Sequence, residues 1–174
     1  HDLITQVLSI PSSRRERTSG YSREEPRVTE LTRHQKEALE ALRQSLLEGG
    51  FKTFFLGGVT GSGKTEVYLR AAREVIDRGR RVLLLVPEIS LTPLLISRLE
   101  RLAPGEVATL HSGLTTRQRA DSWEAVRLGL VRIVVGVRSG VFAPVPDLGL
   151  IIVDEEHDSS FRQEDTPSYH ARDV

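Results

Sequence analysis

Residues 58–65 read GVTGSGKT, which matches the phosphate-loop pattern G-x-x-x-x-G-K-[ST]. An apolar stretch leads into this sequence and a helical stretch follows it, as the pattern requires. The glycines let backbone N–H groups wrap a phosphate chain, Lys64 can reach its terminal phosphates, and the Thr65 hydroxyl can ligate Mg²⁺. The alternative, a structural glycine turn, has no use for both the lysine and the hydroxyl. The predicted nucleotide contacts here are Gly58, Thr60, Gly61, Ser62, Gly63, Lys64, Thr65 and Glu66.

A second group of reactive side chains closes an apolar strand. Residues 150–157 read LIIVDEEH, so three carboxylates and a histidine follow the strand. Like charges held together are costly unless a cation or a reaction uses them. Asp154 is predicted to hold Mg²⁺ through its water shell, Glu155 to deprotonate the water that attacks the γ-phosphate, and His157 to sense the nucleotide. The alternative is a solvated cap on a buried strand.

The apolar pattern supplies elements that can position these residues. Continuous apolar strands alternate with helical stretches, which indicates an α/β fold with a mostly parallel sheet and helices on both faces. Strands are predicted at 53–56, 81–86, 106–110, 131–137 and 148–154, and helices at 64–78, 94–102 and 116–128. A further helix begins at Thr32, which forms a capping box with Gln35, and ends at Gly49-Gly50.

Composition limits the class of protein. The 174 residues are 39% hydrophobic and 28% charged, with 24 Lys+Arg against 24 Asp+Glu, which indicates a soluble globular domain. No apolar run approaches the ~20 residues of a membrane-spanning helix. The absence of cysteine rules out disulfides and thiolate metal sites and is compatible with a reducing cytoplasm. Because the formal net charge is zero, any DNA binding must rest on local patches.

The chain is expected to be a piece of a longer protein, since it begins at His1, contains no methionine and stops without a closing signal. Residues 1–27 are interpreted as the end of a preceding domain followed by a polar linker. Residues 28–174 are interpreted as one folded lobe, truncated at its C-terminus.

The motifs together resemble a known family. GSGKT at 61–65 with DEEH at 154–157 is similar to the DExH group of superfamily-two helicases. The resemblance narrows to the first helicase lobe of the PriA family (primosomal protein N′), whose members restart stalled bacterial replication forks. The stretches that narrow it are VPEISLTP at 86–93, HSGL at 111–114, DEEHDSSF at 154–161 and YHARD at 169–173. The resemblance covers about residues 30–174 and implies a RecA-like P-loop NTPase lobe that binds ATP.

The resemblance also assigns residues outside the two main motifs. Gln35 would read the adenine edge, although its capping-box role competes for the same side chain. Arg33 would stack beside the base, or is simply a solvated arginine at a helix start. Ser90 and Thr92, just past a strand end, would donate hydroxyls to DNA phosphates, with helix capping before Pro93 as the alternative.

Two further stretches resemble elements that contact DNA. The first contains Arg138 and Ser139, beside Val137 where relatives usually carry a threonine, so that one phosphate contact is in doubt. The second, residues 159–170, resembles an aromatic-rich loop that couples single-strand binding to hydrolysis. Its candidate contacts are Phe161, Arg162, Tyr169 and His170. Bases stack on aromatic rings without sequence preference, but loop aromatics also pack back onto their own domain.

The implied function is the ATP-binding lobe of a 3′-to-5′ DNA helicase or translocase that promotes primosome assembly and replication restart. ATP and Mg²⁺ are the implied cofactors, with zinc expected only elsewhere in the parent protein. The implied partners are forked and single-stranded DNA, primosome proteins, single-stranded-DNA-binding protein and the replicative helicase loader. A cytoplasmic monomer is expected, with no membrane partner. The lobe alone should be weakly active or inactive, because arginines of a second lobe complete such sites. The alternatives are another DExH translocase and a nucleotide-gated DNA-binding or scaffold module without unwinding.

Overall fold

The structure, a computed structural model, describes residues 6–10 as backbone and residues 30–59, 61–163 and 168–174 in full. The chain divides into two units, His1–Ala71 and Ala72–Val174, which are described separately. Among the described residues, no helix has the length and apolar character needed to cross a membrane.

The first unit contains two strands, a capped helix and the start of a second helix. Strand β1 (Gln6–Ile10) pairs in parallel with β2 (Phe54–Gly58). Helix α1 (Arg33–Glu48) has the predicted capping box at Thr32 and ends at Gly49, whose φ is 71°. Helix α2 (Lys64–Asp77) follows the phosphate loop, and the boundary between the units falls within it.

Part of the amino-terminal segment forms a strand. Residues 1–27 were expected to lie outside the lobe, as the end of a preceding domain and a linker. In the structure, residues 6–10 form β1, whose partner β2 leads directly into the phosphate loop. The other residues of this segment, and Val28 where the lobe was expected to begin, lie outside the described residues.

The second unit is built on a four-stranded parallel sheet. Its strands are β3 (Arg81–Leu85), β4 (Val107–Leu110), β5 (Ile133–Gly136) and β6 (Leu148–Val153), in the order β4-β5-β3-β6. Helices α3 (Pro93–Leu102) and α4 (Thr116–Arg127) lie between strands in the sequence. The non-consecutive order requires crossover connections, which helices provide in parallel sheets. The predicted α/β RecA-like fold class is therefore confirmed.

Short elements extend beyond the sheet. Three 3-10 helices span Glu88–Ser90, Arg138–Phe142 and Ser159–Phe161. Strands β7 (Arg162–Gln163) and β8 (Tyr169–His170) pair antiparallel. The first two 3-10 helices follow the carboxyl ends of β3 and β5, the edge at which parallel α/β sheets bind ligands.

The core of the second unit lies around the central strands. Every residue of β5 is buried, and residues 82–85 of β3 are at most 2% exposed. The buried cluster includes Leu85 and Leu110 at strand carboxyl ends, together with Phe161 and Ala171 from the segment after β6. The apolar runs of β3 and β5 are therefore buried strands, as the sequence pattern predicts. The apolar run of β6 is only partly buried, and Ile151 in it is 48% exposed.

Arginines bind backbone carbonyls at the amino ends of these strands. The Arg81 guanidinium, 13% exposed, donates to the carbonyl oxygens of Gly129 at 2.7 Å and Val131 at 3.1 Å, and to Asp147 Oδ2 at 3.3 Å. Arg132 Nη1 donates to the Gly79 carbonyl at 2.8 Å. These groups satisfy loop carbonyls that no strand partner reaches.

Candidate functional site

The phosphate loop connects β2 to α2. Its glycines Gly61 and Gly63 have φ of 81° and 85°, a backbone region that other residues adopt only at a cost. The Ser62 N–H donates to the Val59 carbonyl at 3.1 Å, which closes the turn. Lys64 and Thr65 begin α2, so the loop's backbone N–H groups lie at a helix N-terminus, where anions are favoured. Thr60, a predicted contact, lies outside the described residues.

The polar side chains of the loop are held in a way that fits a phosphate ligand. The Lys64 ammonium donates to the carbonyls of Gly58 at 2.5 Å and Val59 at 3.2 Å, so it folds over the loop's own backbone. The Ser62 hydroxyl is buried and has no hydrogen-bond partner among the described residues. A buried hydroxyl without a partner is costly, and a phosphate oxygen would satisfy it. The loop therefore fits the phosphates of a nucleotide.

Gln35 braces the loop from α1. Its Oε1 accepts the Thr32 N–H at 2.8 Å, and its Nε2 donates to the Ser62 carbonyl at 2.9 Å. A Cβ at Gly63 would lie 2.3 Å from that Nε2, so the brace requires glycine there. The capping role weighed against adenine reading is present in the structure. Each polar atom of the amide makes one of these bonds, which leaves one N–H and one oxygen lone pair for a further partner such as adenine.

The neighbouring candidates of the first unit lie on helix surfaces. The Arg33 side chain is 87% exposed and pairs with Glu37 at 2.8 Å, within its own helix. Glu66 pairs with Arg70 at 2.9 Å, also one turn along its helix. Arg33 therefore sits at the solvated start of α1, which is the alternative to its stacking role.

The acidic motif forms a tight turn after β6. The Asp154 N–H donates to the Leu85 carbonyl at 2.9 Å, which extends the sheet by one residue. Glu155 has a φ of 53°, a left-handed conformation that costs a non-glycine residue about 1–2 kcal/mol. The Glu155 side chain is exposed, and its N–H donates to Asp154 Oδ1 at 3.1 Å. Strain of this kind concentrates at functional sites.

The residues after Glu155 form an ion pair and hydrogen bonds with neighbouring side chains. Glu156 pairs with Arg172 Nη1 at 2.9 Å, whereas His157 is exposed. The pKa of Arg172 is raised, first by its hydrogen bond to Asp173 and then by the charges of Asp173 and Glu156. The pKa of the Asp158 carboxyl is lowered because it accepts hydrogen bonds from Ser160, with a smaller contribution from the charge of His157. Glu156 is thus tied to the segment that carries the predicted DNA contacts.

Two protein ligands, Thr65 and Asp154, are predicted for Mg²⁺. Among the described residues, no group of three His, Asp or Glu side chains is arranged to hold a metal ion. Mg²⁺ commonly keeps several waters and binds one or two carboxylates together with substrate phosphates. The Thr65 hydroxyl in the first unit and the Asp154 carboxylate in the second unit are each of the oxygen-donor type that Mg²⁺ binds.

Ser90 and Thr92 lie on the segment between β3 and α3. Thr92 caps α3, and its hydroxyl oxygen accepts the Leu95 N–H at 3.3 Å, which is the capping role considered as the alternative. The hydroxyl hydrogen is still able to donate, because a hydroxyl both donates and accepts. Ser90 is half-buried at the end of its 3-10 helix.

A groove of about 730 Å³ lies beside this segment but contains none of the predicted site residues. Its lining includes Glu88 and Glu100 together with Arg101 and His111. Because the lining combines two carboxylates with Arg101 and His111, its charge does not favour a phosphate chain and the groove adds no support for a DNA contact there.

Arg138 lies at the centre of a cluster in the second unit. Its Nη1 donates to the Arg162 carbonyl at 2.8 Å, and its guanidinium carbon lies 5.9 Å from the centroid of the Tyr169 ring. Ser139 is exposed beside it. Val137 is the N-cap of the 3-10 helix and makes no side-chain cap, which a threonine hydroxyl would be able to supply. The structure thus brings together predicted residues from two separate stretches.

Phe161 corrects one sequence prediction. Its side chain is 0% exposed and belongs to the core cluster, so it has no surface on which a base could stack. The apolar ring is buried because the 3-10 helix Ser159–Phe161 returns the chain to the sheet after the acidic turn. His170 packs beside it, with the ring centroids 6.5 Å apart. Arg162 is exposed and Tyr169 is half-buried, so both remain candidates for DNA contacts.

Phe142 is a neighbour that the sequence prediction missed. Its side chain is 52% exposed, and its ring meets Tyr169 edge to face, with the centroids 5.1 Å apart and an interplanar angle of 69°. The available signal was weak, namely an aromatic residue in the same short segment as Arg138. Only the three-dimensional structure brings it beside Tyr169.

Comparisons with known proteins agree with the motifs. The profile of the DEAD/DEAH box helicase family matches residues 32–173. "Replication restart protein PriA" of Bacillus subtilis is 48% identical over 144 residues, which are 83% of this chain and 18% of that protein. The protein of the same name from Synechocystis sp. is 50% identical over 146 residues, 83% of this chain and 17% of that protein. That of Treponema pallidum is 42% identical over 172 residues, 95% of this chain and 25% of that protein. The chain thus spans about a fifth of the length of the curated relatives it matches.

Proposed function

Because the chain belongs to the DEAD/DEAH box helicase family, we propose that it is the ATP-binding lobe of a PriA-type DNA helicase. The parent protein would be longer, since the relatives are about five times the length that the chain covers. It would move 3′-to-5′ on single-stranded DNA at stalled forks and promote primosome assembly. Residues 28–174 would form the lobe, and the parent would be a cytoplasmic monomer.

The phosphate loop is the observation that carries this proposal. Its positive-φ glycines, the helix N-terminus, the unpartnered Ser62 hydroxyl and Lys64 together suit a triphosphate. Lys64 would exchange its bonds to loop carbonyls for bonds to the terminal phosphates, and Thr65 would direct its hydroxyl to Mg²⁺. Gln35 would hold the loop in shape, with adenine reading as a further role, and Arg33 would flank the base.

The acidic turn would supply the chemistry. Glu155, aimed by its left-handed backbone, would accept a proton from the attacking water, and Asp154 would contribute to holding Mg²⁺. Bound Mg²⁺ would offset the negative charge of the phosphates. His157 would report the state of the nucleotide to neighbouring residues.

The DNA would contact the second unit. Ser90, Thr92 and Ser139 would donate hydroxyl hydrogens to phosphates, and Arg138 and Arg162 would supply positive charge. Tyr169 and His170 would contact bases or sugars. The ion pair between Arg172 and Glu156 joins this segment to the acidic turn, which supports coupling of DNA binding to hydrolysis. Primosome proteins, single-stranded-DNA-binding protein and the helicase loader would be partners of the parent protein.

ATP hydrolysis by the parent protein tests the proposal. Hydrolysis would be measured with and without forked DNA for the wild type, Lys64→Ala and Lys52→Ala. Lys52 is a suitable control because, among the described residues, its one ion pair is with Glu48 at the end of α1. DNA should stimulate the wild type and Lys52→Ala, and Lys64→Ala should lower hydrolysis by at least about 100-fold.

Two other outcomes would count against the proposal. Equal rates for wild type and Lys64→Ala would overturn the motor function. Nucleotide-dependent DNA binding without DNA-stimulated hydrolysis would favour the nucleotide-gated binding module instead.

A further inference from the structure

We propose that Phe142 is a base-stacking residue on the path of single-stranded DNA, held in place by Tyr169 and flanked by the Arg138 guanidinium. The inference rests on the proposed function and adds to it a contact that the helicase motifs do not include. Four features of the molecule support it: the exposure of the ring, its hydrogen-bonded support, the geometry of its neighbours and the local charge.

The Phe142 side chain is unusually exposed for an aromatic residue. A phenylalanine ring gains about 1.5–3 kcal/mol on full burial, yet this ring is 52% exposed. Phe161, in the following segment, is fully buried and fills the core. Phe142 follows β5 and Phe161 follows β6, the next strand in the sequence, and of these two phenylalanines only Phe142 presents a ring surface to solvent.

The support beneath Phe142 is rigid. The 3-10 helix Arg138–Phe142 follows β5 directly, and a Cβ at Gly136 would lie only 2.8 Å from Gly140 Cα. Hydrogen bonds from Gly140 N–H to the Val137 carbonyl (2.7 Å) and from Ala143 N–H to the Gly140 carbonyl (3.0 Å) close the helix. The close approach of the backbones fixes the segment to the buried end of β5. A stacking residue on such a support loses little further freedom when a base binds.

The aromatic neighbour holds the ring. The contact between Phe142 and Tyr169 is edge to face, with an interplanar angle of 69°. This arrangement is favourable for an aromatic pair. Because the two rings are not stacked in parallel, the exposed surface of Phe142 is left for a third flat group. A nucleobase is such a group, and every base has a π-face.

The local charge favours a nucleic acid as the occupant. Arg138 is oriented by the Arg162 carbonyl and the Tyr169 ring. A guanidinium has five N–H donors, so others remain for a phosphate oxygen. Neither Arg138 nor Arg162 forms an ion pair with a carboxylate of the described residues. An exposed ring that shares its neighbour Tyr169 with the Arg138 guanidinium fits a base with its phosphate, whereas an acidic peptide would leave the ring without a partner.

Binding of oligo(dT) to the parent protein tests the inference. Affinity would be measured by fluorescence anisotropy for the wild type, Phe142→Ala, Phe142→Leu and Phe142→Tyr. The same variants would be measured with an abasic oligonucleotide, which keeps the phosphates and lacks the bases. Trp123→Ala is the matched control, because Trp123 is an exposed aromatic side chain on α4 with no ring or cation contact among the described residues.

We expect Phe142→Ala and Phe142→Leu to weaken oligo(dT) binding about 10-fold, with Phe142→Tyr and Trp123→Ala close to wild type. Affinity for the abasic strand and the dependence on salt concentration should not change, because Phe142 contacts no phosphate. Equal loss on both strands would indicate a merely structural role and would overturn the inference. Unchanged binding of oligo(dT) by Phe142→Ala would overturn it while leaving the proposed function intact. Failure of the wild type to bind either strand would overturn both.

Discussion

At the amino ends of the four-stranded sheet, arginine guanidinium groups donate to backbone carbonyls. At the carboxyl ends, carboxylates, hydroxyls and aromatic rings face solvent in short 3-10 turns. Arg81 is 13% exposed with three hydrogen-bond acceptors around it, whereas Glu155 and Phe142 are exposed beyond the opposite ends of the strands. The first arrangement satisfies the protein's own backbone, and the second leaves polar groups for a ligand. The amino ends of the strands thus stabilise the fold, and the carboxyl ends carry the proposed site.

The two ends of strand β6 show the same difference between a residue that supports the fold and one that belongs to the proposed site. Asp147, just before the strand, has a φ of 45°, and Glu155, just after Asp154, has a φ of 53°. Both residues adopt the left-handed region that costs a non-glycine side chain. The Asp147 carboxylate accepts a hydrogen bond from Arg81, so its conformation serves the fold. Glu155 makes the same backbone turn at the edge where the proposed chemistry occurs.

The largest effect on stability is expected at Phe161, which lies beyond the carboxyl end of β6 and is nevertheless buried. Phe161 follows the acidic turn, yet its ring belongs to the core. Phe161→Ala should lower the free energy of unfolding by about 3–5 kcal/mol, because the cavity cannot fully collapse. Urea denaturation of the chain would measure this, with Tyr169→Ala as the control from the same segment. A loss for Phe161→Ala no larger than that for Tyr169→Ala would contradict the core assignment.

A smaller effect is expected at the amino ends of the strands. Arg81→Met keeps much of the side-chain volume but leaves the carbonyls of Gly129 and Val131 without their donor. The free energy of unfolding should fall by about 1–3 kcal/mol. Arg117→Met is the control, because the Arg117 side chain is 92% exposed and its pair with Asp121 spans 3.8 Å. That variant should change stability by less than about 0.5 kcal/mol. Equal changes in the free energy of unfolding of Arg81→Met and Arg117→Met would contradict a stabilising role for the arginine at the amino ends of the strands.

The sequence predicts the elements well because their signals are local. The capping box at Thr32 and Gln35 sets the start of α1, the apolar runs mark β3 and β5, and the phosphate-loop pattern marks the turn before α2. Each of these signals lies within a few residues and needs no tertiary contact. The phosphate contacts and the acidic turn were predicted for the same reason, and their functional roles stay predictions.

The contacts between residues far apart in the chain were not predicted from the sequence. Gln35 reaches the Ser62 carbonyl, 27 residues away, and composition alone contains no sign of this brace. Phe161 and Phe142 are the same residue type in similar loops, but one is buried and the other is exposed. Which ring fills the core depends on how the segments after β5 and β6 return to the sheet. This depends on packing, which a periodic pattern does not encode.

The direct test of the division between the two ends uses the two left-handed residues that flank β6. Asp147→Gly and Glu155→Gly both relieve backbone strain, so each should change the free energy of unfolding by no more than about 1 kcal/mol. DNA-stimulated ATP hydrolysis by the parent protein is the deciding measurement. The account predicts a rate near wild type for Asp147→Gly and a loss of about 100-fold or more for Glu155→Gly. Similar rates for the two variants would contradict it.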